Sequence, residues 1–269
     1  MTNERRVLVH PDKASLASSV SARFITKMLD ILDTQAVAHV VLTGGSMGSA
    51  VLEAVSSSPA RTSIDWSRVH FWWGDERWVP DRDAERNDEQ ARIALLDDLD
   101  VPDGNVHPFP SPDSGMSLDE AAEVYAAELS EHGVDGLEHP IFDIVFLGVG
   151  PDGHIASLFP HRSGIQVTDR TVIPVRNSPK PPPERLSLTR PVINSSQRVW
   201  LVLAGADKAS ALGLALAGAD KASALGLALA GASRDEVPVA GIKGRRRTVF
   251  FVDADAAAEV PESLIARDY

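Results

Sequence analysis

A chain of 269 residues with 43% apolar side chains can bury a sizeable core, as one large α/β domain or as two small ones. Its net charge of −12 argues against a general role on nucleic acid or anionic membranes, so an anionic ligand must be met by a local cluster of Arg and Lys. Cysteine is absent, which removes disulfides, a thiolate nucleophile and cysteine metal sites.

Apolar β-type runs recur at 6–10, 39–43, 69–73, 142–147, 171–175, 198–204 and 248–252. Helical patterns lie between several of them, at 16–32, 48–55, 88–99 and 118–129. Strands alternating with helices predict an α/β fold, with a mostly parallel sheet covered by helices on both faces. No Gly/Ser-rich linker divides the chain, so one domain over 1–269 is expected. The Pro-rich stretches 101–112 and 179–183 read as ordered loops, because each is short and flanked by apolar runs. No apolar run is long enough to span a bilayer and no secretory leader is found, so a cytoplasmic protein, expected as a monomer, is the reading.

Residues 206–218 are repeated at once, without change, as 219–231. In an ideal helix a shift of thirteen residues rotates the second copy by about 220°. Leu225, Leu227 and Leu229 then leave the face made by Leu212, Leu214 and Leu216. Two copies are too few for a solenoid, so a tandem duplication accommodated as a longer helix or a terminal bulge is expected.

Four motifs compete for the chemistry. Gly44-Gly45-Ser46-Met47-Gly48 follows the 39–43 run and matches the G-x-S-x-G elbow of serine esterases. An elbow serine follows several earlier strands, whereas one candidate strand precedes Ser46. The same backbone N–H groups and hydroxyl at a helix start make a phosphate cradle, and a plain tight turn is the bland alternative.

In the second, Trp73-Gly74-Asp75-Glu76-Arg77, a strand runs into a polar turn. A surface loop with a local ion pair is the ordinary reading, and an arginine that stabilises a developing oxyanion is the functional one. The third, Gly148-Val149-Gly150-Pro151-Asp152-Gly153-His154, closes an apolar, β-branched run. It is formally a dinucleotide fingerprint. However, Pro160 cuts the expected short helix, and Asp169 precedes the next strand instead of ending it, so nicotinamide binding is not expected. The turn instead delivers Asp152 and His154 to the carboxyl end of a buried strand, where open α/β sheets bind ligands. Histidine exchanges a proton near neutral pH, and a carboxylate two residues away can orient the ring.

The fourth motif joins Pro179-Lys180-Pro181-Pro182-Pro183-Glu184-Arg185 to the strand end before Lys208. Solvated charge is the plain reading of Arg185 and Lys208. A cation in the first turn of a helix opposes the dipole unless an anion offsets it, which favours phosphate at Lys208. The basic run 243–247 lacks interleaved aromatics and reads as a solvated loop, with no nucleic-acid or membrane contact expected. The eight histidines show no H-E-x-x-H or comparable spacing, so no metal and no cofactor are expected.

Together, Leu42-Thr43-Gly44-Gly45-Ser46, Trp73 to Arg77, Gly148 to Pro160, Pro179 to Arg185 and Gly205-Ala206-Asp207-Lys208-Ala209 resemble the 6-phosphogluconolactonases, which are related to the glucosamine-6-phosphate isomerases/deaminases. The resemblance covers nearly the whole chain. It implies a Rossmann-like α/β fold and metal-free hydrolysis of 6-phosphoglucono-δ-lactone to 6-phosphogluconate in the oxidative pentose phosphate pathway. It also implies that His154 is the general base. Two departures stand out: Arg86-Asn87 replaces the usual Ser-Asn, and the duplication offers both Lys208 and Lys221 for one role, assigned here to Lys208.

The expected mechanism places the phosphate on Gly44, Gly45, Ser46, Arg185 and Lys208, with Asn87 also in the binding set. Asp152 orients His154, Arg77 meets the oxyanion, and Asp75 holds Arg77. The alternatives are an isomerase/deaminase of an amino-sugar phosphate, a serine esterase at Ser46, and a non-catalytic sugar-phosphate sensor.

Overall fold

Nearly continuous apolar segments suit burial on both faces of a parallel sheet, and the computed structural model, which describes residues 4–208, 233–258, 260 and 265, places six of the seven predicted runs in one, the run at 171–175 joining a smaller antiparallel sheet instead. The chain runs β1 (Glu4–His10), α1 (Lys13–Leu32), β2 (Ala38–Leu42), α2 (Gly45–Ser56), β3 (Val69–Trp73), β4 (Asp75–Arg77) and α3 (Asn87–Ala94). It continues through β5 (Val106–His107), α4 (Leu118–Glu131), β6 (Ile144–Leu147), β7 (Val172–Val175), β8 (Arg185–Leu188), α5 (Arg190–Asn194), β9 (Arg198–Leu203) and β10 (Arg247–Asp253). The large sheet has the order β1-β10-β9-β6-β2-β3-β5, with all its pairs parallel.

Helices cover both faces, as expected, and the period-two alternation of the strands decides which helix goes where. Phe71 packs on Trp66 on one face, where Phe24 of α1 meets Trp66 and Phe146. Trp72, one residue on, meets Tyr125 of α4 on the other. Leu16, Val20, Phe24 and Met28 form a buried stripe at helical spacing on α1, and its first turn is capped by Asp12, which accepts from the Ser15 amide. A Ser117/Glu120 capping box starts α4. Among the described residues no helix is long and apolar enough to cross a membrane.

Three expectations need correction. Asp75–Arg77 is a strand and not a polar turn, and Arg185–Leu188 follows the Pro-rich loop as its antiparallel partner. With β7 they form a second sheet of order β4-β8-β7, which the charged β4 sequence conceals because cross-strand pairing, not propensity, specifies it. The pattern at 88–99 breaks where Leu95 leaves helical geometry (φ −154°, ψ −49°), so α3 gives way to a 3₁₀ turn at Leu96–Asp98. No helix follows His154: Ile155 bridges to Val149 and Leu158, and Ala156 has φ +46°. Lys208 ends a 3₁₀ turn, Ala206–Lys208, and its side chain lies outside the described residues, as do Lys221 and nearly all of the duplication.

Strand order fixes the ligand crevice. From β2 the chain adds β3 and β5 on one side, and from β6 it adds β9 and β10 on the other. The order therefore reverses between β2 and β6, and such a switch point opens a crevice at the carboxyl ends of the strands. Gly148 N–H donates to Thr43 Oγ1 across that point at 3.2 Å.

Candidate active site

A cavity of about 320 Å³ occupies the switch point. The loop after β2 supplies Thr43 and Gly44, the first turn of α2 supplies Gly45 to Met47, the loop after β6 supplies Gly148 to Pro151 and His154, and the end of β9 supplies Val202 to Ala204. The smaller sheet adds Asp75, Arg77 and Arg185, and Asn87, Lys180 and Pro181 complete the wall.

His154 Nδ1 lies 2.5 Å from Asp152 Oδ1. An ionised carboxylate only accepts, so this bond puts the hydrogen on Nδ1 and leaves the lone pair on Nε2. Burial tends to raise the Asp152 carboxyl, but the His154 bond and charge, with Lys180 at 3.7 Å, hold it well below the usual range. The pair forms because residue 150 is glycine. A Cβ there would stand 2.0 Å from His154 Nδ1 and 2.5 Å from Asp152 Oδ1. The Gly150 and Gly153 amides close the turn by donating to the carbonyls of His154 and Gly150, each at 2.9 Å, and the His154 ring rests on Phe159.

Also lining the cavity, Gly44 caps α2 without a side-chain bond, and Gly45 and Ser46 are exposed in its first turn. The Gly45 amide donates to Gln90 Oε1 at 3.1 Å. Asn87 explains the glycine at 44, where a Cβ would fall 1.8 Å from Asn87 Oδ1. Asn87 Nδ2 donates to the Asp75 carbonyl at 2.8 Å, while its Oδ1 is buried without a partner among the described residues.

Asp75 does not hold Arg77, contrary to expectation. Its carboxylate accepts from Ser157 Oγ at 2.6 Å and faces Asn87 Nδ2 at 3.4 Å, which ties the β6 loop to the smaller sheet. Arg77 is instead held by the Glu85 carbonyl, through Nη1, and its Nε is buried and unpartnered among the described residues. Arg185 donates through Nε and Nη2 to the carbonyls of Pro182, Lys180 and Pro181, so it also shapes the Pro-rich loop. Burial lowers its guanidinium from the ordinary value.

Register makes these two arginines informative. Arg77 and Arg185 are directly opposed across β4 and β8. Like charges directly opposite one another destabilise a sheet, a cost that an anion between them would offset. Arg86 is buried, donating to Asp88 Oδ1 at 2.6 Å and to the Phe109 carbonyl at 2.7 Å, with Glu76 4.0 Å away. Burial raises the Glu76 carboxyl. Arg86 and the Asn87 and Asp88 amides oppose that shift, the amides bonding it at 2.7 and 2.9 Å. The departure at 86 thus builds the ion network that fixes the start of α3, and so Asn87.

Gly44, Gly45, Ser46, Asp75, Arg77, Asn87, His154 and Arg185 line one cavity, with Asp152 bonded to His154 behind its wall. Lys180 was not anticipated as part of the site. It was the lone cation inside a proline run, and only the fold shows that it reaches Asp152. Gly150 and Ser157 were also missed, because their roles depend on contacts made after the chain has turned.

The sequence family described as glucosamine-6-phosphate isomerases/6-phosphogluconolactonase matches residues 11–251. A 6-phosphogluconolactonase of Streptomyces coelicolor is 45% identical over 268 residues, 98% of each chain. One of Mycobacterium tuberculosis is 41% identical over 255 residues, covering 94% of this chain and 97% of the relative. The crystal structure of 6-phosphogluconolactonase from Thermotoga maritima superposes with a TM-score of 0.76 at 27% identity, covering 93% of this chain and all of that one. With its family match spanning most of the sequence, this chain belongs to the glucosamine-6-phosphate isomerase/6-phosphogluconolactonase family.

Proposed function

We propose that the chain acts in the cytoplasm, as one domain, to hydrolyse 6-phosphoglucono-δ-lactone to 6-phosphogluconate in the oxidative pentose phosphate pathway. The observation that carries this reading is the Asp152–His154 pair, 2.5 Å apart, in the same cavity as the opposed Arg77 and Arg185. A base with one free nitrogen and a cationic wall across a small cavity suit an electrophile tethered to an anion. The names of the relatives supply the particular lactone.

The phosphate rests on the N–H groups and hydroxyl at Gly44 to Ser46, the Gly45 amide exchanging Gln90 Oε1 for a phosphate oxygen, and on Arg185 and Lys208, which fixes the lactone and removes much of the orientational cost of reaction. His154 Nε2 takes a proton from water as the water oxygen bonds to C1. Arg77 meets the negative charge that develops on the carbonyl oxygen. Collapse of the tetrahedral intermediate breaks the bond from C1 to the ring oxygen, and the imidazolium returns its proton to that oxygen. Asp152 keeps the ring in the reactive tautomer, and Asp75 positions Asn87 and Ser157 rather than Arg77.

Lactone hydrolysis measured against its spontaneous background tests the proposal, with ammonia release from glucosamine 6-phosphate assayed in parallel. Rapid lactone hydrolysis without ammonia is expected. Ammonia release without lactonase activity would overturn the assignment in favour of the isomerase/deaminase branch, and tight ligand binding without turnover would favour a sensor.

A further inference from the structure

At the amino end of the large sheet, away from the cavity, the fold gathers four imidazoles that no linear spacing announced. His39 is the second residue of β2, His70 the second of β3, His107 ends β5, and His132 follows the last residue of α4. Parallel register pairs His39 with His70 and Trp72 with His107. His70 Nδ1 lies 2.9 Å from His107 Nε2, and the other nitrogen of His107 lies 2.6 Å from Glu128 Oε1. His132 stands edge-on to His107 and His70, with ring centroids at 4.9 and 5.2 Å. One ligating atom each from His70, His107 and His132 falls within 4.8 Å of the others.

We infer that His70, His107 and His132 form a binding site for a late first-row divalent cation of the zinc class, separate from the catalytic cavity. Such a cation takes imidazole nitrogens at 2.0–2.1 Å, so donors on one ion stand about 3.4 Å apart. The His70–His107 pair, hydrogen-bonded at 2.9 Å, stands slightly inside that spacing, so the two rings have to part a little while His132 closes in. It sits half-buried at a helix end, where a change of rotamer displaces little.

Glu128 fixes the chemistry of the pair. By accepting the His107 Nδ1 hydrogen it leaves the Nε2 lone pair facing His70, the carboxylate–histidine arrangement that orients metal ligands. Cation binding then requires the hydrogen of His70 on Nε2, so that Nδ1 also offers a lone pair. His39 is excluded as a ligand because its Nδ1 accepts from Trp72 Nε1 at 3.1 Å. Nitrogen donors select against magnesium and calcium, which prefer oxygen. The ion would tie the end of α4 to the β3–β5 edge.

The test titrates the full, chelator-treated chain with Zn²⁺ by calorimetry and with Co²⁺ by visible absorption, while circular dichroism checks that each variant is folded. One equivalent should bind in the native chain and raise Tm. His132→Ala and the gentler Glu128→Gln, at a partly exposed position, should each weaken binding by about 10- to 100-fold, whereas His154→Ala should leave it unchanged. The assignment is overturned if the native chain takes up no Zn²⁺, if both His132→Ala and Glu128→Gln bind as tightly as the native chain, or if binding is lost in His154→Ala instead.

Discussion

At the carboxyl end of the sheet a single imidazole, His154, stands beside a carboxylate and lines a cavity. At the amino end His39, His70, His107 and His132 pack ring against ring. Both groups are carried by strands of one sheet or by the segments that follow its strands and helices. What separates them is the partner of each nitrogen. Asp152 fixes one nitrogen of His154 and leaves the other for a reacting molecule. At the other end ring nitrogens face one another, Trp72 or Glu128, and burial keeps His39 and His70 well below the ordinary histidine range. What sets His154 apart is therefore a ring nitrogen left unshared in a cavity, not histidine as such.

Gly150→Ala should break the contrast most severely, because its Cβ would occupy the space of the His154–Asp152 pair. Displacing the base should lower kcat by about 10²–10⁴-fold, and an alanine variant with normal turnover would show that the close approach is not required. Arg77→Ala comes next, with an expected loss of about 10²–10³ in kcat, as for removal of one oxyanion donor. If KM rises instead and kcat holds, Arg77 grips the ground state and belongs with the phosphate anchor.

Asp152→Asn should lower kcat by less than loss of the base itself, since the imidazole remains and only its tautomer is disturbed. The Asp152 carboxyl is held below the ordinary value and is partly exposed, so the stability it contributes is present above about pH 4 and lost only at lower pH. Thermal melts at pH 7 should accordingly differ from the native chain by less than about 1 kcal/mol, and a large destabilisation would recast Asp152 as structural.

The amino end predicts a smaller effect, on stability alone. Burial and the surrounding rings hold His39 at about 3 and His70 at about 4 in the folded chain. The unfolded chain binds those protons near pH 6.5, so metal-free protein should keep full stability above about 6.5 and lose it progressively as pH falls toward those values. Urea midpoints across that range should fall less steeply in His39→Gln, whose amide can still accept from Trp72. Parallel slopes in the two chains would remove these rings as the cause.

The large sheet was legible because strands such as Ile144–Leu147 and Val249 to Val252 are apolar without interruption, and the turn that brings His154 to the cavity was legible because its glycines, Asp152 and His154 are contiguous. Three features were not. The strand Asp75–Arg77 carries three charges, and its partner lies more than a hundred residues away. Lys180 reaches Asp152 only through the fold of the proline loop. The imidazoles at 70, 107 and 132 share no periodicity, since three different elements bring them together. Local pattern reports what one element buries; it does not report which distant elements become neighbours.

The account rests on His154 as the base that activates water. Steady-state hydrolysis of 6-phosphoglucono-δ-lactone by His154→Ala, corrected for spontaneous opening, tests this most directly. The predicted result is a fall in kcat of about 10²–10⁴-fold with KM little changed, and a variant that turns over at close to the native rate would contradict it.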